Sequence, residues 1–248
     1  MNNQVVCVTT FRQGRPNNPI ERVRTEVFID SIKKLGDLNI PCIALVAETQ
    51  TNLLDYLKHL GAILVTQKSM GMGNIRREAI SAACSLFPDT EFCCWLEPEK
   101  PNLSIFIYPM VALMSEEKTE LGMFNRVSMT SYPIEQAYYY LFCRAVASKL
   151  IGFDLDYAFG PMIMSKAATQ YFLDYKGEYG DRWEAIMIPR LRIMKQGIRV
   201  SLLNIDFKND PRMTEIESGD PDVILERIEQ LNNVIPSLIK EWAKPSQS

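Results

Sequence analysis

The sequence predicts an α/β fold: a doubly wound, mostly parallel sheet with helices on both faces. Three observations predict it. Strand-like and helix-like segments alternate through the first hundred residues. The strand-like segments are continuous apolar runs rather than alternations, which means burial on both faces and hence a parallel sheet. Glycines, Gly36 and Gly61, stand where the intervening helices must stop.

Residues 5–10 (VVCVTT) read as the first strand. In residues 19–35 the apolar positions Ile20, Val23, Val27, Ile29 and Ile32 recur roughly at helical spacing, and Gly36 follows. Residues 42–47 form a second strand, 52–60 a helix, 62–65 a third strand, 73–86 a helix and 91–96 a fourth strand. The second half is less regular. Helices are expected over 101–114, 133–150, 166–173, 183–195 and 221–242, and strands over 120–126, 160–164 and 198–205. The aromatic cluster from Tyr138 to Phe142 reads as core rather than as a stacking platform. No low-complexity linker or repeat divides the chain, so residues 1–244 are expected to form one domain, with halves 1–100 and 101–244 and a frayed tail at 245–248.

The 248 residues are 47% hydrophobic and 23% charged, ordinary for a globular protein. A net charge of −3 gives no general electrostatic reason to bind nucleic acid or an anionic membrane. No window approaches the ~18 uninterrupted apolar residues of a membrane span. The start of the sequence has no basic segment followed by a cleavage site, so no signal peptide is expected. Six cysteines without a CxxC pair, and a single histidine, argue against a zinc site. The expectation is buried free thiols in a cytoplasmic protein. His59, at a helix end, reads as a surface residue.

In such a sheet ligands bind beyond the carboxyl ends of the strands. Those ends are residues 10–15, 48–50, 67–73 and 97–100. Gly71-Met72-Gly73-Asn74-Ile75-Arg76-Arg77 leads two glycines into a helix whose first turns carry two arginines. Arginine opposes the helix dipole there, and a bound phosphate would give it a reason. The loop after the first strand offers Arg12 and Arg15 to phosphate and Gln13 to a base or ribose; a solvated basic loop is the competing reading. Glu97-Pro98-Glu99 ends the fourth strand. Read as extended chain, it places both carboxylates on one side, able to ligate Mg²⁺ or Mn²⁺; Lys100 is the competing partner. Without a cation one of the two pKa values should rise. Asp154-Leu155-Asp156 either shapes an acceptor pocket or makes a turn. Asp181, with Glu184 three residues on, fits a helix cap or a general base for an acceptor hydroxyl. No nucleophile elbow, P-loop, zincin or EF-hand pattern is present.

The order of these stretches resembles the Rossmann-like GT-A type glycosyltransferases. In that family a Gly-x-Gly-x-x-Arg-like helix start precedes a short acidic motif at the end of the fourth strand, and a less regular acceptor half follows. Glu97-Pro98-Glu99 stands where that acidic motif, usually two aspartates, would be. Trp183-Glu184 and Arg192 to Val200 resemble the acceptor-side helix and strand, and residues 206–236 resemble the tails of glucosyl- and mannosylglycerate synthases. The resemblance implies sugar transfer from a nucleoside-diphosphate sugar to a hydroxyl acceptor. It implies diphosphate contacts from Arg12, Arg76 and Arg77 beside Gly71 and Gly73, a nucleotide contact from Glu48, and Mg²⁺ or Mn²⁺ on Glu97 and Glu99. Asp181 or Glu184 would act on the acceptor, with Asp156 in its pocket. Glutamates replace the aspartates here, and Lys100 is placed to neutralise a diphosphate instead. Two alternatives remain open: an inactive relative that binds a nucleotide sugar or a protein partner, and a nucleotidyltransferase. A homo-oligomer is compatible with all three.

Overall fold

The structure is a computed structural model describing residues 4–15, 17–47 and 49–245. Seven strands form one sheet in the order β3-β2-β1-β4-β6-β5-β7. They are β1 (Val5–Arg12), β2 (Cys42–Ala47), β3 (Ala62–Thr66), β4 (Phe92–Trp95), β5 (Leu121–Arg126), β6 (Met162–Ser165) and β7 (Val200–Ile205). β3, β2, β1 and β4 are mutually parallel, and β5 is parallel to β7. Only β6 among these strands runs the other way, antiparallel to both β4 and β5. The sheet is therefore mostly parallel, as expected.

The first half follows the sequence closely. α1 (Pro19–Asp37) starts at Asn18, whose side chain accepts from the amides of Ile20 and Glu21, with Pro19 in the first turn. It runs through Gly36 instead of stopping there. Asn39, at φ 54°, makes the turn into β2, and Ile40 N donates to Leu35 O at 2.9 Å. α2 (Thr51–His59) and α3 (Met72–Leu86) complete the crossovers.

The second half departs further. Residues 101–114 are not one helix: a 3₁₀ turn, Pro101–Phe106, leads into α4 (Ile107–Glu117). α5 (Ile134–Ile151) ends at Gly152, at φ 94°. Its aromatic cluster is split rather than wholly core: Tyr139 and Tyr140 are buried, while Tyr138 and Phe142 are exposed, because neighbouring helix positions face different ways. α6 (Lys166–Asp174) and α7 (Glu184–Lys195) follow. A short helix absent from the sequence reading, α8 (Pro211–Glu217), precedes α9 (Pro221–Ala243). α8 has a clear start: Asp210 accepts from Arg212 N, and Pro211 follows it.

One apolar core cluster draws residues from all seven strands and from both halves. All six cysteines are free, and all but Cys84 are buried. No helix of the described residues is long and apolar enough to cross a membrane. The sheet order reverses direction between β1 and β4, and the crevice outside their carboxyl ends is where such a sheet can bind a ligand.

Candidate active site

Two cavities open at that crevice. The larger, about 670 Å³, lies along the loop after β1 and is lined by Arg12, Gln13, Gly14, Arg15 and Arg24. The second, about 430 Å³, reaches toward the second half, where Arg76, Trp95, Tyr132, Trp183 and Arg227 line it. Thr10, Arg24, Pro98 and Glu99 line both. The waist between the cavities is thus built by the end of β1, by α1 and by the acidic segment after β4.

The acidic segment is not extended. Lys100 N donates to Glu97 O at 3.2 Å, closing a turn over Pro98 and Glu99. Proline pre-sets the backbone for the second position of a turn, and that preference wins over continuation of the strand. The turn is pinned from behind by α1, where Ser31 Oγ donates to Pro98 O at 2.8 Å. The two carboxylates consequently part. Glu97 Oε2 lies 3.1 Å from Lys100 Nζ, and its carboxylate packs against Gly160, where a Cβ would fall 2.0 Å from Glu97 Oε1. Glu99 Oε1 lies 3.5 Å from Arg24 Nε.

Their electrostatics part as well. Burial pushes both pKa values up. For Glu97, Lys100, Arg76 and Arg227 outweigh burial and hold the carboxyl below its ordinary value. For Glu99, burial prevails over Arg24 and Lys100, and the repulsion of Glu97 adds to it, so the carboxyl sits above its ordinary value. Lys100 is itself buried. Burial opposes its charge, but nearby Tyr132 and Glu97 raise its pKa, and the ammonium stands 5.8 Å and 5.6 Å from the ring centroids of Tyr132 and Phe159.

The amino end of α3 was expected to cradle a phosphate, and the chain fills that place itself. Arg77 donates to both carboxylate oxygens of Asp181, each at 2.7 Å. Gly73 N donates to Asp181 O at 2.8 Å, and a Cβ on Gly73 would lie 2.1 Å from Asp181 Oδ1. Gly71 supplies the left-handed backbone, φ 83°, that begins the helix. Arg76 does reach the second cavity. It donates to Arg182 O at 2.5 Å and stands 5.6 Å from the centroid of Trp95, and burial pulls its pKa down to about 10.

The remaining expected residues fall as follows. Asp181 does not cap α7, which begins at Glu184 without a side-chain cap, because Arg77 has taken its carboxylate. Glu184 is buried with its carboxylate against Gly180, and neither acid lines either cavity. Asp156 lines neither. It is fully buried in an ion pair with Arg126, whose Nε donates to Oδ2 at 2.5 Å. Gln13 lines the larger cavity and accepts from Gln50 N at 2.8 Å, tying the loop after β1 to the loop after β2. Arg12 lines that cavity too. Glu48 lies outside the described residues.

The sequence reading missed Arg24, Tyr132, Gln136, Glu217 and Arg227, all of which line the second cavity. Arg24 Nη2 donates to Glu217 Oε1 at 3.1 Å, and Gln136 Nε2 donates to Glu217 Oε2 at 2.7 Å. A network thus links α1, α5, α8 and the acidic turn. Burial opposes the charge of Arg24, but Glu99 and Glu217 hold its pKa above the ordinary value. Arg24 had a sequence signal, since it stands one helical turn before Phe28 on the buried stripe of α1.

No family model matches the sequence, and no curated protein matches it. Solved structures do match in fold. Glucosyl-3-phosphoglycerate synthase from Mycobacterium tuberculosis, in complex with Mn²⁺, UDP-glucose and phosphoglyceric acid, superposes with a TM-score of 0.64 at 14% identity, covering 98% of this chain and 81% of that one. The chain shares the α/β fold of that synthase. Mannosyl-3-phosphoglycerate synthase from Rubrobacter xylanophilus gives 0.56 at 11% identity, over 92% of this chain and 75% of that one. A cytidylyltransferase from Leptospira borgpetersenii gives 0.51 at 12% identity, over 99% of each. Both sugar transfer and nucleotidyl transfer are therefore represented on the same architecture.

A divalent cation needs oxygen ligands free to face it. Here each glutamate of the acidic turn already faces a cation of the chain, and the described residues include no cluster of three or more acids, histidines or cysteines placed for a metal. As they stand, the residues do not fit the ion.

Proposed function

We propose that the protein is a glycosyltransferase that moves a sugar from a nucleoside-diphosphate sugar to a hydroxyl acceptor. One observation carries the reading: the acidic turn after β4 forms the wall common to two cavities, one along the β1 loop and one reaching the second half of the chain. A donor lying across the waist would put its nucleoside in the first and its sugar in the second, beside any acceptor. In the transfer an acceptor oxygen bonds to the anomeric carbon, the bond to the diphosphate breaks, and the nucleoside diphosphate leaves with the electron pair. Cations at the waist would stabilise that leaving charge. Of the carboxylates on the wall of the second cavity, Glu97, Glu99 and Glu217 face Lys100, Arg24 and Gln136, so Glu226 is the candidate for the acceptor proton.

The test is release of nucleoside diphosphate from UDP-, GDP- and ADP-sugars against a panel of hydroxyl acceptors. Acceptor-dependent release with one donor supports transfer. Binding of a nucleotide sugar without release under any acceptor supports the second reading, an inactive nucleotide-sugar-binding relative, which the placement of Asp181 and Glu184 away from the cavities favours. Pyrophosphate release from CTP with a sugar acid would instead establish a nucleotidyltransferase. That reading has less support, because the loop after β1 carries only Gly14.

A further inference from the structure

We propose that Arg24 grips the diphosphate of the nucleotide sugar directly, so that the site takes its donor without a divalent cation. This rests on the glycosyltransferase reading of the cleft. Among the described residues Arg24 is the only cation that lines both cavities, so a ligand spanning them must pass its guanidinium.

The guanidinium is fixed in place. Its Nη2 donates to Glu217, which Gln136 holds from the other side. Its Nε is buried and makes no hydrogen bond, since Glu99 stands 3.5 Å away, beyond good donor range. The side chain as a whole is 38% exposed, so a ligand can reach it. A planar guanidinium is suited to a phosphate oxygen, and charge-assisted bonds of that kind are the strong ones. Arg12 and Arg15 line the larger cavity on the nucleotide side.

The acidic turn then has a different task from metal ligation. Glu97 holds Lys100 at 3.1 Å, and Glu99 stands 3.5 Å from Arg24 as the counter-charge that a phosphate would displace. A metal on these carboxylates would have to pull both away from their partners, leaving Lys100 buried without its counter-ion, which is costly.

The two arrangements predict opposite results for Glu99. The experiment is calorimetric titration of the full chain with UDP-glucose, GDP-mannose and ADP-glucose, in EDTA and in excess Mn²⁺. The expected result is that one of them binds in EDTA and that Mn²⁺ changes the affinity little. Arg24→Gln should weaken that binding about tenfold or more, the scale of one lost charge-assisted hydrogen bond. Glu99→Gln, which removes a competing carboxylate, should preserve or tighten it. That arm and the EDTA arm stand even if Arg24→Gln fails to fold. Binding that requires Mn²⁺ and is lost in Glu99→Gln would overturn this inference while leaving the glycosyltransferase reading intact. Binding in EDTA unaffected by Arg24→Gln would also overturn it. Binding of none of the three, with or without Mn²⁺, would overturn both.

Discussion

Asp181 binds Arg77 across 104 residues of sequence, with both carboxylate oxygens 2.7 Å from guanidinium nitrogens. The pair fastens the loop before α7 to the amino end of α3, and Gly73 closes against the same aspartate. The amino end of α3, where a bound anion was expected, is therefore met by a carboxylate of the chain itself. Both side chains are partly screened by solvent, at 16% and 34% exposure. Asp181→Ala is expected to cost about 1–2 kcal/mol, which is about 2–8 °C in Tm for a chain of this size. Urea and thermal melts check it. Because Asp181 lines neither cavity, nucleotide-sugar affinity should hold. A collapse of turnover at unchanged stability would return Asp181 to a catalytic role.

Binding should respond to pH through Glu99. Its pKa is raised above the ordinary value, chiefly by burial, while that of Glu97 is lowered by Lys100 and Arg76. As pH falls from neutrality, Glu99 takes a proton before Glu97 does. Neutral Glu99 no longer competes for Arg24, so metal-free affinity for a nucleotide sugar should rise as pH falls through the raised pKa of Glu99. Titrations in EDTA at several pH values measure this, and Glu99→Gln should flatten the profile. An unchanged slope in that variant would show that another group titrates.

The buried pair Arg126–Asp156 should behave as structure rather than as part of an acceptor pocket. The Arg126 guanidinium is sandwiched 3.8 Å from the centroid of Tyr140 and 4.3 Å from that of Phe159, with Asp156 as counter-ion and both side chains fully buried. Arg126→Met strands the aspartate, so a loss of about 3–5 kcal/mol is expected. Replacing both partners by apolar residues should cost less than that single change. Urea midpoints of the two variants and the parent decide it: equal losses in the single and the double would mean that the cost is packing, not an orphaned charge.

These sites show what a sequence can and cannot display. Continuous apolar runs gave away β1 to β4, because burial on both faces leaves its mark locally. The antiparallel direction of β6 was not visible, since a four-residue buried run reads alike either way. α8 escaped although Asp210-Pro211 is a readable helix start, and with it went Glu217. Arg24 was readable as a cation on a buried stripe. The extended reading at Pro98 fails, because a proline that suits a strand end suits the second position of a turn equally, and the competing pairing with Lys100 is the one that forms. The Asp181–Arg77 pair was out of reach, because a bond between residues this far apart leaves no pattern in either segment.

Acid should loosen the joint between α7 and α9. Glu241, on α9, accepts from Arg192 Nε at 2.9 Å and lies 3.1 Å from Lys244 Nζ. Burial would raise its pKa, but these partners outweigh burial and bring it down from 4.5 to about 2. A carboxyl whose folded pKa is depressed contributes stability that is present above its unfolded value and lost as pH falls through the folded one. The loss should therefore fall between about pH 4.5 and 2, on the order of 3 kcal/mol for a shift of that size. Glu241→Gln should be less stable than the parent at neutral pH, and the difference should shrink as pH falls through this window. Urea denaturation from neutral pH to pH 2 measures both curves. Parallel curves would mean that the fold does not lower the pKa of Glu241, and the acid lability would then have to come from other depressed carboxyls, such as Asp154 beside Arg144 and Asp210 beside Arg212.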